Sequence, residues 1–169
     1  VAIQNKLLIL VGVTNEPQYM RPIKNIFLTD DDVDDCMLFS EALHEIYSTQ
    51  EARLTIAHDG EKLMQVLYET VPPPPELIFL DLNMPRKNGF ECIEEIRKTP
   101  KLEEIPIVIF STSSNNDIVD RTYQHGANYY VCKPGSYSLL KKTIAHILSL
   151  DVAKLRERPL RDKFVIKVA

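Results

Sequence analysis

The sequence predicts an α/β domain built on a doubly wound parallel sheet, and three observations carry that prediction. Short apolar runs alternate with helix-period segments five times from Asn25 onward. The runs are apolar on consecutive residues, as in Ile107-Val108-Ile109-Phe110, which marks strands covered on both faces. Acidic, hydroxyl and lysine residues follow the runs rather than interrupting them, the placement expected of functional groups at the carboxyl edge of such a sheet.

Strands are predicted at Ile26 to Thr29, Leu54 to Ala57, Leu77 to Leu80, Ile105 to Ser111 and Tyr129 to Cys132, each bounded by polar or turn residues. In the first helix, Phe39, Leu43, Ile46 and Tyr47 share one stripe, and Asp34 is placed to cap it. Asp59-Gly60 turns into a second helix carrying Leu63, Val66 and Leu67, and the prolines from Pro72 to Pro75 end it. Phe90, Ile93 and Ile96 mark the third helix. Asn115 or Asn116 caps a fourth, whose sizeable apolar residues are only Ile118, Val119 and Tyr123, so it should pack less firmly than its neighbours. Leu140, Ile144, Ile147 and Leu148 form the stripe of the fifth. Right-handed crossovers then distribute the helices over both faces.

With 169 residues, 44% hydrophobic and 26% charged, the chain can bury one ordinary core. The expected organisation is an N-terminal extension or vector-derived segment over 1–23, one domain over 24–150, and a short tail over 151–169 with no output domain. Met20 would serve as a start. The apolar stretch from Lys6 to Val13 has a single lysine before it and no small-x-small cleavage site after it, so it does not read as a signal peptide, and it is too short to span a bilayer. A net charge of −4 without a basic block argues against nucleic acid. Cys36, Cys92 and Cys132 form no CxxC pair, which fits reduced thiols in a cytoplasmic protein. His44, His58, His125 and His146 show no metal spacing.

In the flavodoxin-like strand order 2-1-3-4-5, strands one and three are neighbours, so Asp30, Asp31 and Asp81 would converge. Three crowded carboxylates call for a cation, and an oxygen-only donor set suits Mg2+. A carboxylate beside such an ion can attack a phosphoryl donor and become an acyl phosphate. Lys133, with the Ser111 hydroxyl, would then meet charge on the transferring oxygens.

Residues 25 to 148 resemble the receiver domain of two-component response regulators. The resemblance rests on Thr29-Asp30-Asp31-Asp32, Leu80-Asp81-Leu82-Asn83-Met84-Pro85, Ser111 and Lys133-Pro134, in that order along the chain. It implies Asp81 as phosphoacceptor, Asp30 and Asp31 as metal ligands with the Asn83 backbone carbonyl, Ser111 as switch hydroxyl, Lys133 as the charge partner and Tyr130 as the aromatic switch residue. A one-residue change of register would pass the hydroxyl role to Thr112. The expected activity is phosphoryl acceptance from a histidine kinase or phosphotransfer protein, with slow autodephosphorylation and output through protein contacts. On phosphorylation Ser111 would move toward the phosphoryl oxygens and Tyr130 would turn inward. A homodimer through the fourth helix and fifth strand is a further expectation. The rival readings are a phosphorylation-independent scaffold of the same fold and a phosphatase acting on small molecules. The tail either docks on a partner, docks on the domain itself or stays disordered.

Overall fold

The computed structural model describes residues 22–47, 52–69 and 73–168. Within them lie β1 (Asn25–Thr29), α1 (Val33–Ile46), β2 (Arg53–Ala57), α2 (Gly60–Glu69), β3 (Leu77–Leu80), α3 (Gly89–Lys98), β4 (Ile107–Ser111), α4 (Asn116–Gln124), β5 (Tyr129–Cys132), α5 (Tyr137–Leu148) and α6 (Val152–Arg156), with a 3-10 turn at Arg161–Lys163. The sheet runs β2-β1-β3-β4-β5, and every pairing is parallel. Expectations for residues 1–21, including the apolar stretch and Met20, lie outside the described residues, as does Pro72.

Two cores form because both sheet faces are apolar. On one face, Phe39 of α1 meets Phe79 of β3 and Phe110 of β4 edge-on, at centroid distances of 4.8 and 5.9 Å, and α5 adds Ile144 and Ile147. On the other, Leu63, Ile93, Ile96 and Val119 from α2, α3 and α4 cover Ile78, Leu80 and Ile109. Edge-to-face ring pairs add electrostatic preference to simple burial.

Several boundaries differ from the predicted ones for identifiable reasons. β4 starts at Ile107 rather than Ile105, after Pro106, which lacks an N–H but whose carbonyl accepts from Ile78. The cap of α1 is Asp32, whose carboxylate accepts from the N–H groups of Asp34 and Asp35 at 2.9 and 3.0 Å; Asp34 lies inside the first turn. Asn115 caps α4, and α4 buries only Val119 and Thr122, against five buried residues in α5. Arg97 of α3 ties the far end of the sheet together, donating to the carbonyls of Gly126, Glu103 and Ile105 and to Asn128 Oδ1, all at 2.8 to 2.9 Å. Burial lowers its pKa to about 10. Four acceptors satisfy a half-buried guanidinium that would otherwise be costly to desolvate.

The segment after α5 docks on the domain, the second of the three fates open to it. Leu155 and Phe164 are fully buried, and Tyr130 of β5 forms a parallel bridge with Val165.

Candidate functional site: an acidic pocket at the sheet edge

The parallel ladder continues one residue beyond the strands and pins the backbone of each candidate. The Asp30 N–H donates to the Ala57 carbonyl at 3.1 Å, Asp81 to Thr29 at 2.9 Å and Lys133 to Ser111 at 2.8 Å. The side chains therefore leave a rigid sheet rather than a loose loop, which holds a reacting geometry better.

Carboxylate oxygens of Asp30, Asp31 and Asp81 lie within 4.8 Å of one another, with Asp30 and Asp81 buried and Asp31 exposed. Burial pushes the Asp30 carboxyl above its ordinary value; Lys133 and the Asp32 N–H pull against that rise, and the Asp81 charge adds to it. Burial likewise raises Asp81, opposed by Lys133 and by the N–H groups of Leu82 and Asn83. Two desolvated carboxylates with a third beside them form a hard, oxygen-only donor set, so the residues present fit a divalent cation such as Mg2+. Asn83, two residues after Asp81, is exposed.

Lys133 Nζ donates to Asp30 Oδ2 at 2.7 Å and to Asp35 Oδ2 at 2.8 Å. Burial opposes its charge, but these two carboxylates and Asp81 more than offset that, and its pKa is raised. Its direct partners are thus Asp30 and Asp35, and it acts on Asp81 through space. Asp35 enters the pocket from the structure and not from any of the motifs above. The available signal was its place in the first turn of a helix that starts at the sheet edge.

Ser111 is fully buried as the last residue of β4, and Thr112 is exposed. The Ser111 hydroxyl stands beside Asp81 and has no partner in hydrogen-bond geometry among the described residues. Thr29 Oγ1 is in the same position. A buried hydroxyl without a partner is uncommon, and one beside the acidic pocket is suited to a ligand oxygen. Tyr130 is inward, 1% exposed, and its hydroxyl donates to the Ser113 carbonyl at 2.7 Å.

The loop after Asp81 is fixed by contacts no motif announced. A Cβ on Gly89 would lie 2.4 Å from the Asp81 carbonyl oxygen, so only glycine lets α3 start against that residue. Arg86, held at φ 64°, pairs with Asp59 from the β2–α2 turn, and Lys87 pairs with Glu95. A Cβ on Gly60 would strike the Lys87 carbonyl at 2.3 Å, which shows how closely the two loops meet. Of the cysteines, Cys36 and Cys92 are buried and Cys132 is exposed; burial raises the thiol of Cys36 to about 11 and that of Cys92 to about 12, far from reactive values.

Fold and pocket define an α/β domain with a lysine-bridged acidic site at the carboxyl edge of its sheet. The chain belongs to the response regulator receiver domain family, whose profile matches residues 26–145. It is 38% identical over 133 residues to the response regulator Rcp1 of Synechocystis sp., covering 76% of this chain and 88% of Rcp1. Its structure resembles that of the phosphorylated cyanobacterial phytochrome response regulator RcpA, with TM-score 0.68, 36% identity, and 74% of this chain and 91% of that one covered. The Mn(2+)-bound form of Rcp1 matches with TM-score 0.65 and 35% identity, covering 74% and 92%. Phosphoryl acceptance on an aspartate and Mg2+ binding at acidic residues are typical of the family, which implies a kinase or other phosphodonor as partner. Among the described residues no helix is long and apolar enough to cross a membrane.

Proposed function

We propose that this chain is a cytoplasmic response regulator whose receiver, residues 24–150, takes a phosphoryl group on Asp81 from a histidine kinase or phosphotransfer protein. The observation that carries the reading is the convergence of Asp30, Asp31 and Asp81 beside Lys133 and an unpartnered, buried Ser111 hydroxyl. An Asp81 carboxylate oxygen attacks the donor phosphorus, and the donor's phosphorus–nitrogen bond breaks as the leaving imidazole recovers a proton. Lys133 supplies positive charge near the developing oxyanions, and the Ser111 hydroxyl donates to one of them. Mg2+ held by Asp30, Asp31, Asp81 and the Asn83 carbonyl would neutralise phosphoryl charge when bound.

Exposed apolar side chains mark the donor's landing surface. Val33 and Met37 are 66% and 61% exposed, and Leu38 is also exposed, on the α1 turns that begin at the acidic pocket. Apolar side chains left in water beside a reactive carboxylate suit an apolar helical partner surface.

Intact mass after incubation with a small acyl phosphate and Mg2+ tests the reading. The expected result is one phosphoryl mass on the wild-type chain and none on Asp81→Asn. An unmodified wild type, or an equal adduct on the variant, would overturn it and favour a scaffold of the same fold.

A further inference from the structure

The segment after α6 makes a connected set of contacts that the acidic pocket does not use. Arg158 Nη2 donates to the Tyr123 carbonyl at 2.6 Å, and its guanidinium lies 4.0 Å from the centre of the Tyr123 ring. The Tyr123 hydroxyl returns a bond to the Pro159 carbonyl at 3.0 Å, and Arg161 pairs with Asp120 at 2.5 Å. Phe164, fully buried, sits with its ring centre 5.1 Å from that of Tyr123 and 6.2 Å from that of Tyr130. The backbone joins as well: the Tyr130 N–H donates to the Phe164 carbonyl and the Ile166 N–H to the Tyr130 carbonyl, both at 2.9 Å. β5 is an edge strand, so this bridge covers polar groups that the sheet leaves open.

α4 and Tyr130 both lean on these contacts. α4 buries only Val119 and Thr122 of its own, so it depends on what grips its outer residues, and Asp120 and Tyr123 are gripped here. Tyr130 is held at its backbone by this segment, at its ring by Phe164, and at its hydroxyl by Ser113, two residues beyond Ser111. The inward rotamer thus has supports that do not involve Asp81.

We propose that residues 157–166 form an intramolecular strap that holds α4 in place and Tyr130 inward, and through Tyr130 couples to the β4–α4 loop behind Ser111. Coupling of this kind is reciprocal: the strap stabilises one arrangement of the loop, and a group on Asp81 that rearranges the loop alters the strap's hold. The hold on α4 stands on geometry alone. The coupling rests on the phosphoryl-accepting role proposed for Asp81.

Amide hydrogen exchange on the full chain tests both parts. In Arg158→Ala/Arg161→Ala, and more so in Phe164→Ala, amides of residues 116–124 and those of Tyr130 and Ile166 should exchange about tenfold faster or more, with α1 unchanged. Wild-type exchange in the arginine pair variant and in Phe164→Ala alike would overturn the strap. If Phe164→Ala also loosens α1, it reports global unfolding, and the arginine pair, in which Arg158 is exposed and Arg161 half-buried, decides alone. In wild-type protein carrying the acyl phosphate, exchange at Tyr130 and Ile166 should shift about threefold or more. Unchanged exchange with the adduct in place would overturn the coupling. A wild type that takes no adduct would overturn the phosphoryl reading and the coupling with it, while the unmodified variants still decide the strap.

Discussion

Replacing Lys133 with alanine removes the cation that bridges Asp30 and Asp35, and among the described residues no other side chain pairs with the buried Asp30 carboxylate. The Asp30 side chain is 2% exposed and that of Lys133 11%, so water cannot fully take over the lost partner. Removing one member of a buried pair costs about 3–5 kcal/mol. Asp35, the second partner, is 37% exposed and regains solvent, which favours the lower end. About 3 kcal/mol corresponds to a Tm lower by about 6–12 °C in a chain of this size.

The pH dependence has a definite sign. Burial holds the native Asp30 carboxyl above its ordinary value even with Lys133 present. A raised carboxyl favours the fold below its unfolded-state pKa of about 4, and that contribution is lost as pH rises through the native pKa. Without Lys133 the native pKa moves higher still. The variant's deficit should therefore be small near pH 4 and grow toward neutrality. Thermal melts followed by circular dichroism in EDTA, from pH 4 to 8, measure it. A Tm loss under about 2 °C at pH 7.5, or one that widens as the pH falls, would refute the electrostatic account. Added Mg2+ should narrow the gap between variant and wild type, because a second cation then shares the carboxylates.

Two further outcomes follow from the same pocket. Asp81→Asn removes a desolvated carboxylate and should raise the Tm in EDTA at pH 7.5 by about 2–4 °C, an effect on the order of 1 kcal/mol of the kind seen when a function-strained site is relieved; a lower Tm would count against burial as the dominant influence on Asp81. Gly89→Ala forces a Cβ toward the Asp81 carbonyl and should cost about 1–3 kcal/mol in urea unfolding while lowering phosphoryl uptake; wild-type values in both would show that the loop can yield.

Different parts of this molecule were legible to different degrees. The five strands could be read to within two residues because consecutive apolar residues in a parallel sheet leave an unmistakable run, and β4 was misjudged only where Pro106 interrupts the hydrogen-bonding pattern without interrupting hydrophobicity. The weak packing of α4 was visible in its few apolar residues. Asp32 and Asp34 exchanged roles because both stand near the helix start, and only backbone direction decides which carboxylate accepts the free N–H groups. The Arg97 clamp could not be read from the chain: its acceptors at Gly126 and Asn128 lie 29 and 31 residues away and include a backbone carbonyl, which has no residue signature.

From residue order alone came the fold class and the set of Asp30, Asp31, Asp81, Ser111 and Lys133 at strand ends, because a parallel α/β sheet converts sequence position directly into position along one edge; the strand order came with the flavodoxin-like type. Tertiary structure alone decided that Lys133 bridges Asp30 and Asp35, that Ser111 rather than Thr112 faces inward, and that the segment after α6 closes over Tyr130 and α4. Those outcomes depend on distances between groups far apart in the chain and on backbone hydrogen bonds that carry no residue signature.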